Sequence, residues 1–340
     1  MSTTSNQAAW LDGQGKQLRV AEADMPKASE DEVIIRNYAV AVNPVDWKIQ
    51  DSGMYIKQWP VVLGCDVAGE VYEVGSNVKS FKKGDRVISH ATSLLSSDSS
   101  QGGFQIYTKG SSKTTAIIPK STSYAEGSVL PLAVDTAIVG LCSEQPKGLG
   151  LPFPSLDAKP CGKTIVVWGG SSSVGALCIQ LATAAGVKVV TVASSHNFDL
   201  CKRCGATEVF DYKKASVVDD VVGAVKSAGG EFAGVYDAIS LQDQSYKYTL
   251  PILEKLGGGV LSVVLGPPES VPKNVTPAGV FGISPLTYPV WESYITQALE
   301  QGKLLCVPEP LIVGKGLESI QKGLDKNKEG VSAKKVVIEL

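Results

Sequence analysis

Histidine is scarce in this chain: its 340 residues include only His90 and His196. A Ser-His-Asp hydrolase would have to recruit one of these two, and no nucleophile elbow supplies its serine, so hydrolase chemistry is set aside. Charge of one sign is also lacking. A net charge of −2 gives no electrostatic reason to expect a nucleic acid or an anionic membrane as partner. No apolar run reads as the roughly 18 residues that span a bilayer, and the opening residues MSTTSNQAAW carry neither the charged nor the apolar region of a signal peptide. The expectation is a cytoplasmic enzyme. Cysteine is present but unpatterned: seven residues, at 65, 142, 161, 178, 201, 204 and 306, fit reduced, packed thiols better than a disulfide framework. The one CxxC pair, Cys201 with Cys204, has no second pair nearby and reads as packing rather than as a zinc or redox site. There is no internal repeat.

What is present centres on Thr164 to Gly186. A β-branched run, Ile165 to Val167, breaks into a glycine and serine turn, and a helical pattern follows at once. Unpaired amides and the helix dipole make such a turn favour a phosphate, the plainer reading being a merely structural βα turn. The dinucleotide fingerprint is GxGxxG; Gly170 to Gly175 reads GSSSVG, with Ser172 in place of the middle glycine. The next strand, Val187 to Val192, ends where an NAD enzyme places an acidic residue for the ribose 2′-hydroxyl. Here the residues are Ala193, Ser194, Ser195, His196 and Asn197. A carboxylate would repel a 2′-phosphate, whereas hydroxyls, an amide and an imidazole donate to it, so the pattern favours NADPH over NADH. Asp211, Tyr212, Lys213 and Lys214, after a third apolar run, offer an aromatic wall and positive charge beside the adenosine, or else form a solvated turn.

Around this motif the chain reads as two domains. Residues 1–125 alternate short β-type runs with glycine turns, and 126–304 alternate strand and helix, with strands near 164–167, 187–192, 207–210, 234–238 and 259–265. That is an α/β architecture: a doubly wound parallel sheet beside a β-rich domain. The last segment, 305–340, ends in a strand-like run at 334–340 that returns to the first domain. Two stretches read as exposed, irregular segments that shape a substrate entrance or a partner surface: the serine-rich loop at 93–103 and the proline-rich 267–289.

In order, Asn43-Pro44-Val45-Asp46-Trp47-Lys48, Leu63 to Val71 with Val74-Gly75, Gly84 to Val87, and the Gly169 to Gly175 turn resemble the medium-chain dehydrogenase/reductase superfamily over essentially the whole chain. The resemblance implies a GroES-like substrate domain and a Rossmann domain. Compared with the zinc alcohol dehydrogenases of that superfamily, Asn43-Pro44 stands where they have a ligand cysteine, and Cys65-Asp66 where they have a His-Glu pair. The cysteine run of their structural zinc is absent, so no metal is expected. The motifs look like the zinc-independent quinone oxidoreductase and enoyl reductase branch, and Ala193 to Asp199 is similar to fungal enoyl reductases acting in trans with polyketide synthases. This implies NADPH-dependent reduction of a carbon-carbon double bond conjugated with a carbonyl, because simple alcohol oxidation would lack its Lewis acid.

The same resemblance implies roles for particular residues. Val45 to Lys48 border the nicotinamide, with Lys48 holding its ribose or donating to substrate, unless it is only a solvated lysine next to a turn. Thr136, in the LAVDTA segment, meets the nicotinamide amide, unless its hydroxyl only back-bonds a helix. Gly170, Ser172, Ser173 and Val174 face the pyrophosphate; Ser195, His196, Asn197 and Tyr212 face the 2′-phosphate end. Leu265 and Gly266 pack on the nicotinamide ribose, and Val331 and Ser332 close over the cofactor. Tyr55 and Tyr288 are candidate proton donors, with pocket wall as their plainer role and water as the competing source. Two alternatives stay open: a quinone or carbonyl reductase of the same fold, and a noncatalytic NADPH sensor. The substrate is a small enoyl or enone molecule, free or bound to a carrier protein. A monomer is preferred to a homodimer, because prolines 267, 268, 272 and 277 interrupt any long edge strand after the fifth.

Overall fold

The computed structural model describes residues 5–340. The chain divides into two compact units, one running to Leu132 and resuming at Glu309–Leu340, the other being Ala133–Pro308. The division differs from the sequence reading at both crossings. Residues 126–132 stay with the first unit, where Tyr124 stacks on Tyr38, its hydroxyl donates to Glu70, and the Leu132 amide donates to Asp66. Residues 305–308 stay with the second. There the Gln180 side chain accepts from the Leu305 amide at 2.7 Å and donates to its carbonyl at 3.3 Å.

The first unit is β-rich. Its seven-stranded sheet runs Glu309–Lys315, Lys334–Glu339, Glu32–Ala41, Asp66–Val74, Arg86–His90, Thr115–Ile117, with Tyr107–Ser111 also paired to Glu32–Ala41. The terminal strand does return here: Val337 lies opposite Ala41 in antiparallel register. Val33, Ile35, Val40, Val67, Val71, Val87, Val336 and Ile338 of the sheet enter a core that also buries Leu11, Ile49 and Phe104.

In the second unit all six strands are parallel, in the order Glu208–Asp211, Lys188–Ala193, Lys163–Trp168, Glu231–Asp237, Gly259–Val263, Val275–Gly279. Numbered along the chain this is 3-2-1-4-5-6, a Rossmann order, whose direction of growth reverses between the first and fourth strands. The strands read as near-continuous apolar runs because helices cover both faces: Ile165, Val166, Val167, Val189, Val190 and Val192 have no exposure. Helix Val217–Ala228 shows the matching one-sided pattern, burying Val217, Val221, Val222 and Val225.

The sixth strand was not among the five expected, since Pro277 lies inside it. Pro277 pairs with Leu261 at the edge of the sheet. The Val280 amide donates to Val263 and the Gly259 amide to Asn274, so the even-numbered residues direct their backbone groups inward and the ring nitrogen of Pro277 faces the open side. No ladder bond is lost there. One stretch, Tyr124–Cys142, is long and apolar enough to cross a membrane, which the sequence reading missed; 89% of its apolar window is buried inside the protein, as in a core helix.

Candidate nucleotide-binding and active site

The carboxyl ends of the six parallel strands lead into the segments that carry most of the anticipated residues. The first strand turns at Gly169, whose φ of +80° suits glycine. The amides of Gly169 and Gly170 both donate to the Val192 carbonyl at 3.0 Å. Ser172 caps the eleven-residue helix Ser173–Thr183 by accepting from the Gly175 amide at 3.1 Å. This explains the missing middle glycine: at φ −72° and ψ 166° a serine is unstrained and satisfies one of the helix's free donors. The flanking glycines are not exchangeable. A Cβ on Gly170 would stand 2.1 Å from the Thr191 hydroxyl, and one on Gly175 would stand 2.2 Å from the Gly169 carbonyl oxygen.

Ser173 Oγ is buried and has no hydrogen-bond partner. A buried hydroxyl without a partner is costly, and one at a helix start calls for an acceptor such as a phosphate oxygen. Gly170, Ser172, Ser173 and Val174 are thus gathered in one turn, with an unmet donor at its centre. The second βα turn is tied to it: the Asn197 amide donates to the hydroxyl of Ser171 at 3.2 Å. The Ser194 hydroxyl donates to that of Tyr212 at 3.1 Å, joining the ends of the second and third strands. Ser195 and His196 are exposed on a short 3-10 turn, and the Lys213 ammonium lies 5.9 Å above the Tyr212 ring. The structure therefore brings Ser194, Asn197 and Tyr212 to the first turn's side of the sheet, a grouping in which Ser171 had not been singled out.

Further along the same sheet end, Asp237 closes the fourth strand with no exposure. It accepts from the amides of Ile239 and Ser240, and the Ser240 hydroxyl accepts from the Val264 amide. Gly266 accepts from the Tyr246 hydroxyl at 2.6 Å, and Leu265 beside it is 36% exposed. Thr136 is buried in helix Pro131–Cys142, and Tyr288 is half-buried where a short helix begins.

The first unit holds the remaining candidates. Helix Pro44–Ser52 starts with proline in its first turn after Asn43 and ends at Gly53, whose φ is +72°. Val45 and Lys48 lie on it, half-buried, with the Lys48 ammonium 4.7 Å over the Trp47 ring. Tyr55 follows the helix at φ +67° and is 55% exposed. Val331 packs on the core and Ser332 is exposed, just before the terminal strand.

Beneath that helix lies a buried polar cluster that sequence reasoning did not anticipate. Asp46 accepts from the amides of Asn43 (2.8 Å) and Gly64 (3.2 Å). Asp66, with no exposure, accepts from Asn43 Nδ2 at 2.7 Å and the Leu132 amide at 2.6 Å, and it pairs with the Lys335 ammonium at 2.9 Å. The acid three residues after Asn43 was a legible helix-start signal. Lys335 carried no signal, lying 292 positions from Asn43, to which it also donates.

Burial pushes the Asp46 carboxyl up to about 7, with the Asp66 charge adding to the effect and the two amides and Lys335 opposing it. Its unfolded value lies near 3.9, so the folded state holds the proton between those values. Stability from this group is therefore full below about pH 4 and lost as the pH rises to about 7. Melting temperatures of the protein and of Asp46→Asn should accordingly shift in favour of the variant between pH 4 and 7 and run parallel above pH 8. A difference that ignores pH would refute this assignment.

Five of the seven thiols are sealed, Cys161 and Cys306 being partly exposed. Cys65, Cys142, Cys178, Cys201 and Cys204 are buried. Burial pushes Cys142, Cys201 and Cys204 up to about 12 and raises Cys65 and Cys178 further. For Cys201 and Cys204 this supports packing over redox chemistry.

Two protein families match the chain: the alcohol dehydrogenase GroES-like domain over residues 29–131 and the zinc-binding dehydrogenase family over 173–287. Among curated proteins, the dehydrogenase orsE of Emericella nidulans is 48% identical, covering 99% of each chain. The trans-enoyl reductase himH of Aspergillus japonicus is 41% identical, covering 100% of this chain and 99% of its own. Among solved structures, mycobacterial Rv1454c complexed with NADPH superposes with a TM-score of 0.72 at 22% identity, over 99% of this chain and 100% of that one.

The second family's name implies zinc, and the residues here do not fit it. A catalytic zinc takes three protein ligands as thiolate, imidazole or carboxylate. Asp66 already holds an ammonium and two N–H donors, and Asn43 spends its side chain on the ion pair. Among the described residues no group of three or more His, Cys, Asp or Glu could hold a metal ion. The GroES-like match, the 3-2-1-4-5-6 sheet and whole-length identity to fungal dehydrogenases and enoyl reductases agree: the chain is an oxidoreductase of the medium-chain dehydrogenase/reductase superfamily.

Proposed function

We propose that this protein is an NADPH-dependent, metal-independent reductase of a carbon-carbon double bond conjugated with a carbonyl, working in fungal secondary metabolism. The observation that carries the cofactor half is the turn at Gly169–Gly175, whose buried Ser173 hydroxyl lacks an acceptor, followed by a second turn with hydroxyls and an amide in place of a carboxylate. Support for the reaction comes from the whole-length likeness to himH, a trans-enoyl reductase, and from the Asp66–Lys335 pair, which closes the position of a Lewis acid.

When bound, the reduced nicotinamide supplies a hydride to the β-carbon of the conjugated alkene. Negative charge then develops on the substrate's carbonyl oxygen, where a hydrogen-bond donor stabilises it. Lys48 and the Thr136 hydroxyl are the donors proposed for the cofactor's nicotinamide end and the substrate. Tyr55, or water, delivers the proton to the α-carbon. Val45, Leu265 and Gly266 provide contacts to the nicotinamide half, and Val331 and Ser332 cover it.

Loss of NADPH absorbance with an enoyl thioester, beside a quinone, an aldehyde and an NADH control with chelator present, tests this reading. Chelator-resistant enoyl reduction that prefers NADPH is expected. Turnover of quinone or aldehyde alone would replace the reading with the carbonyl reductase, and binding without turnover would leave a sensor. Ser195→Asp should weaken NADPH about tenfold or more by opposing the 2′-phosphate, while NADH affinity holds. Equal effects on the two would move the 2′-phosphate elsewhere.

The protein is further proposed to act as a monomer on a small enoyl substrate, free or carrier-bound. On the open edge of the parallel sheet Pro277 has no donor, and the Val275 amide is already turned to Pro272. A second sheet would find few partners there. Light scattering should give the monomer mass of 35.7 kDa at micromolar concentration; a dimer would show that another surface pairs.

A further inference from the structure

Several features of the second unit converge on one turn of helix Pro131–Cys142, and none of them serves the phosphate turn. Strand Glu231–Asp237 buries Tyr236 completely, and its hydroxyl donates to the Thr136 carbonyl at 2.8 Å. Phenylalanine would fill that space without a hydroxyl to desolvate, so the oxygen calls for a reason. Burial and the neighbouring Cys178 raise the Tyr236 hydroxyl well above its ordinary range, which keeps it a donor. The ring fits only because residue 140 is glycine: a Cβ there would stand 2.4 Å from Tyr236 Cε2. Glycine inside a helix is destabilising relative to alanine, so a second concession serves the same contact.

The next strand adds to the grip. Ser262 donates to the Gly140 carbonyl at 3.1 Å, one helical turn beyond Thr136. From another side Gly282, just after the sixth strand, approaches so closely that a Cβ would lie 2.8 Å from Thr136 Oγ1 and 3.2 Å from its amide nitrogen. Next to Thr136, Asp135 is buried and accepts from the Trp291 indole. Thr136 is thus held through its carbonyl by a strand and through its hydroxyl side by a loop.

We propose that Tyr236 and Gly282 are positioning residues that set the rotation and height of Thr136, so that its hydroxyl meets the nicotinamide end of the cofactor. The inference rests on the role given to Thr136 above. It adds two residues that act through Thr136.

The test compares NADPH with 2′,5′-ADP, which occupies only the adenosine end, by calorimetric titration of the full-length protein. The ratio of the two affinities isolates the nicotinamide half and needs no turnover. Y236F and G282A should leave 2′,5′-ADP binding unchanged and reduce the ratio by about fivefold, a hydrogen bond's worth. T136A should do the same, and T136A/Y236F should lose no more than T136A alone. A normal ratio in Y236F and G282A, alongside a reduced one in T136A, would overturn the positioning role while sparing Thr136. Equal weakening of both ligands would make the contact merely structural. A normal ratio in T136A would remove the role of Thr136 itself, and the proposal with it.

Discussion

Gly175→Ala is expected to cost the protein its nucleotide site. The added Cβ would lie 2.2 Å from the Gly169 carbonyl oxygen and 2.9 Å from its carbon, both backbone atoms that cannot rotate away. Either the helix start or the turn must move. Overpacking of this kind costs about 1–3 kcal/mol. The functional loss is larger, because the amides, the Ser172 cap and the unpartnered Ser173 hydroxyl all belong to that turn. NADPH affinity should fall at least roughly tenfold, a displacement of the phosphate site being worth more than one hydrogen bond. Thermal melting and a fluorescence titration measure the two effects separately, and wild-type affinity in the variant would show that the phosphates bind elsewhere.

The second large effect is expected at Asp237. Its carboxylate receives the amides of Ile239 at 3.0 Å and Ser240 at 2.8 Å, with the Thr249 hydroxyl at 3.3 Å, the last two in the interior and the first partly buried. Ser240 is held at φ +54°, unusual for a residue other than glycine, and its hydroxyl bridges the Asp237 carbonyl to the Val264 amide. Alanine at 237 leaves these donors without an acceptor and releases the strained turn. A loss on the order of 2–4 kcal/mol follows from unsatisfied buried donors. Because Ile239 sits against Gly169, nucleotide affinity should fall as well. Asp237→Asn, which keeps one acceptor, should recover part of both losses. Denaturant midpoints decide it: equal stability of Asp237→Ala and the parent protein would mean that water satisfies the turn.

The sequence carried the parts of this molecule that depend on neighbours along the chain. Five parallel strands were legible because apolar runs of Val and Ile alternate with helical stripes, and the phosphate turn because glycine spacing is local. Residues that act across the fold were hidden. Lys335 looks like any lysine in a charged terminal strand until Asp66 is beside it. Tyr236 reads as one more aromatic in an apolar run, and its partner lies 100 positions away. The sixth strand was obscured for a different reason: Pro277 argues against a strand everywhere except at an edge, and edges are a property of the finished sheet.

The sealed cysteines have a use that follows from where they lie. Cys178 sits on the helix that opens at the phosphate turn, Cys142 on the helix of Thr136, Cys201 within and Cys204 just after the helix behind the second βα turn, and Cys65 next to the Asp66 ion pair. Each is buried and held protonated, so an alkylating reagent at neutral pH reacts only when its neighbourhood opens. The native chain thus carries its own set of opening reporters. Peptide mapping after brief alkylation, with and without nucleotide, would read which part of each unit a ligand tightens, with no label introduced.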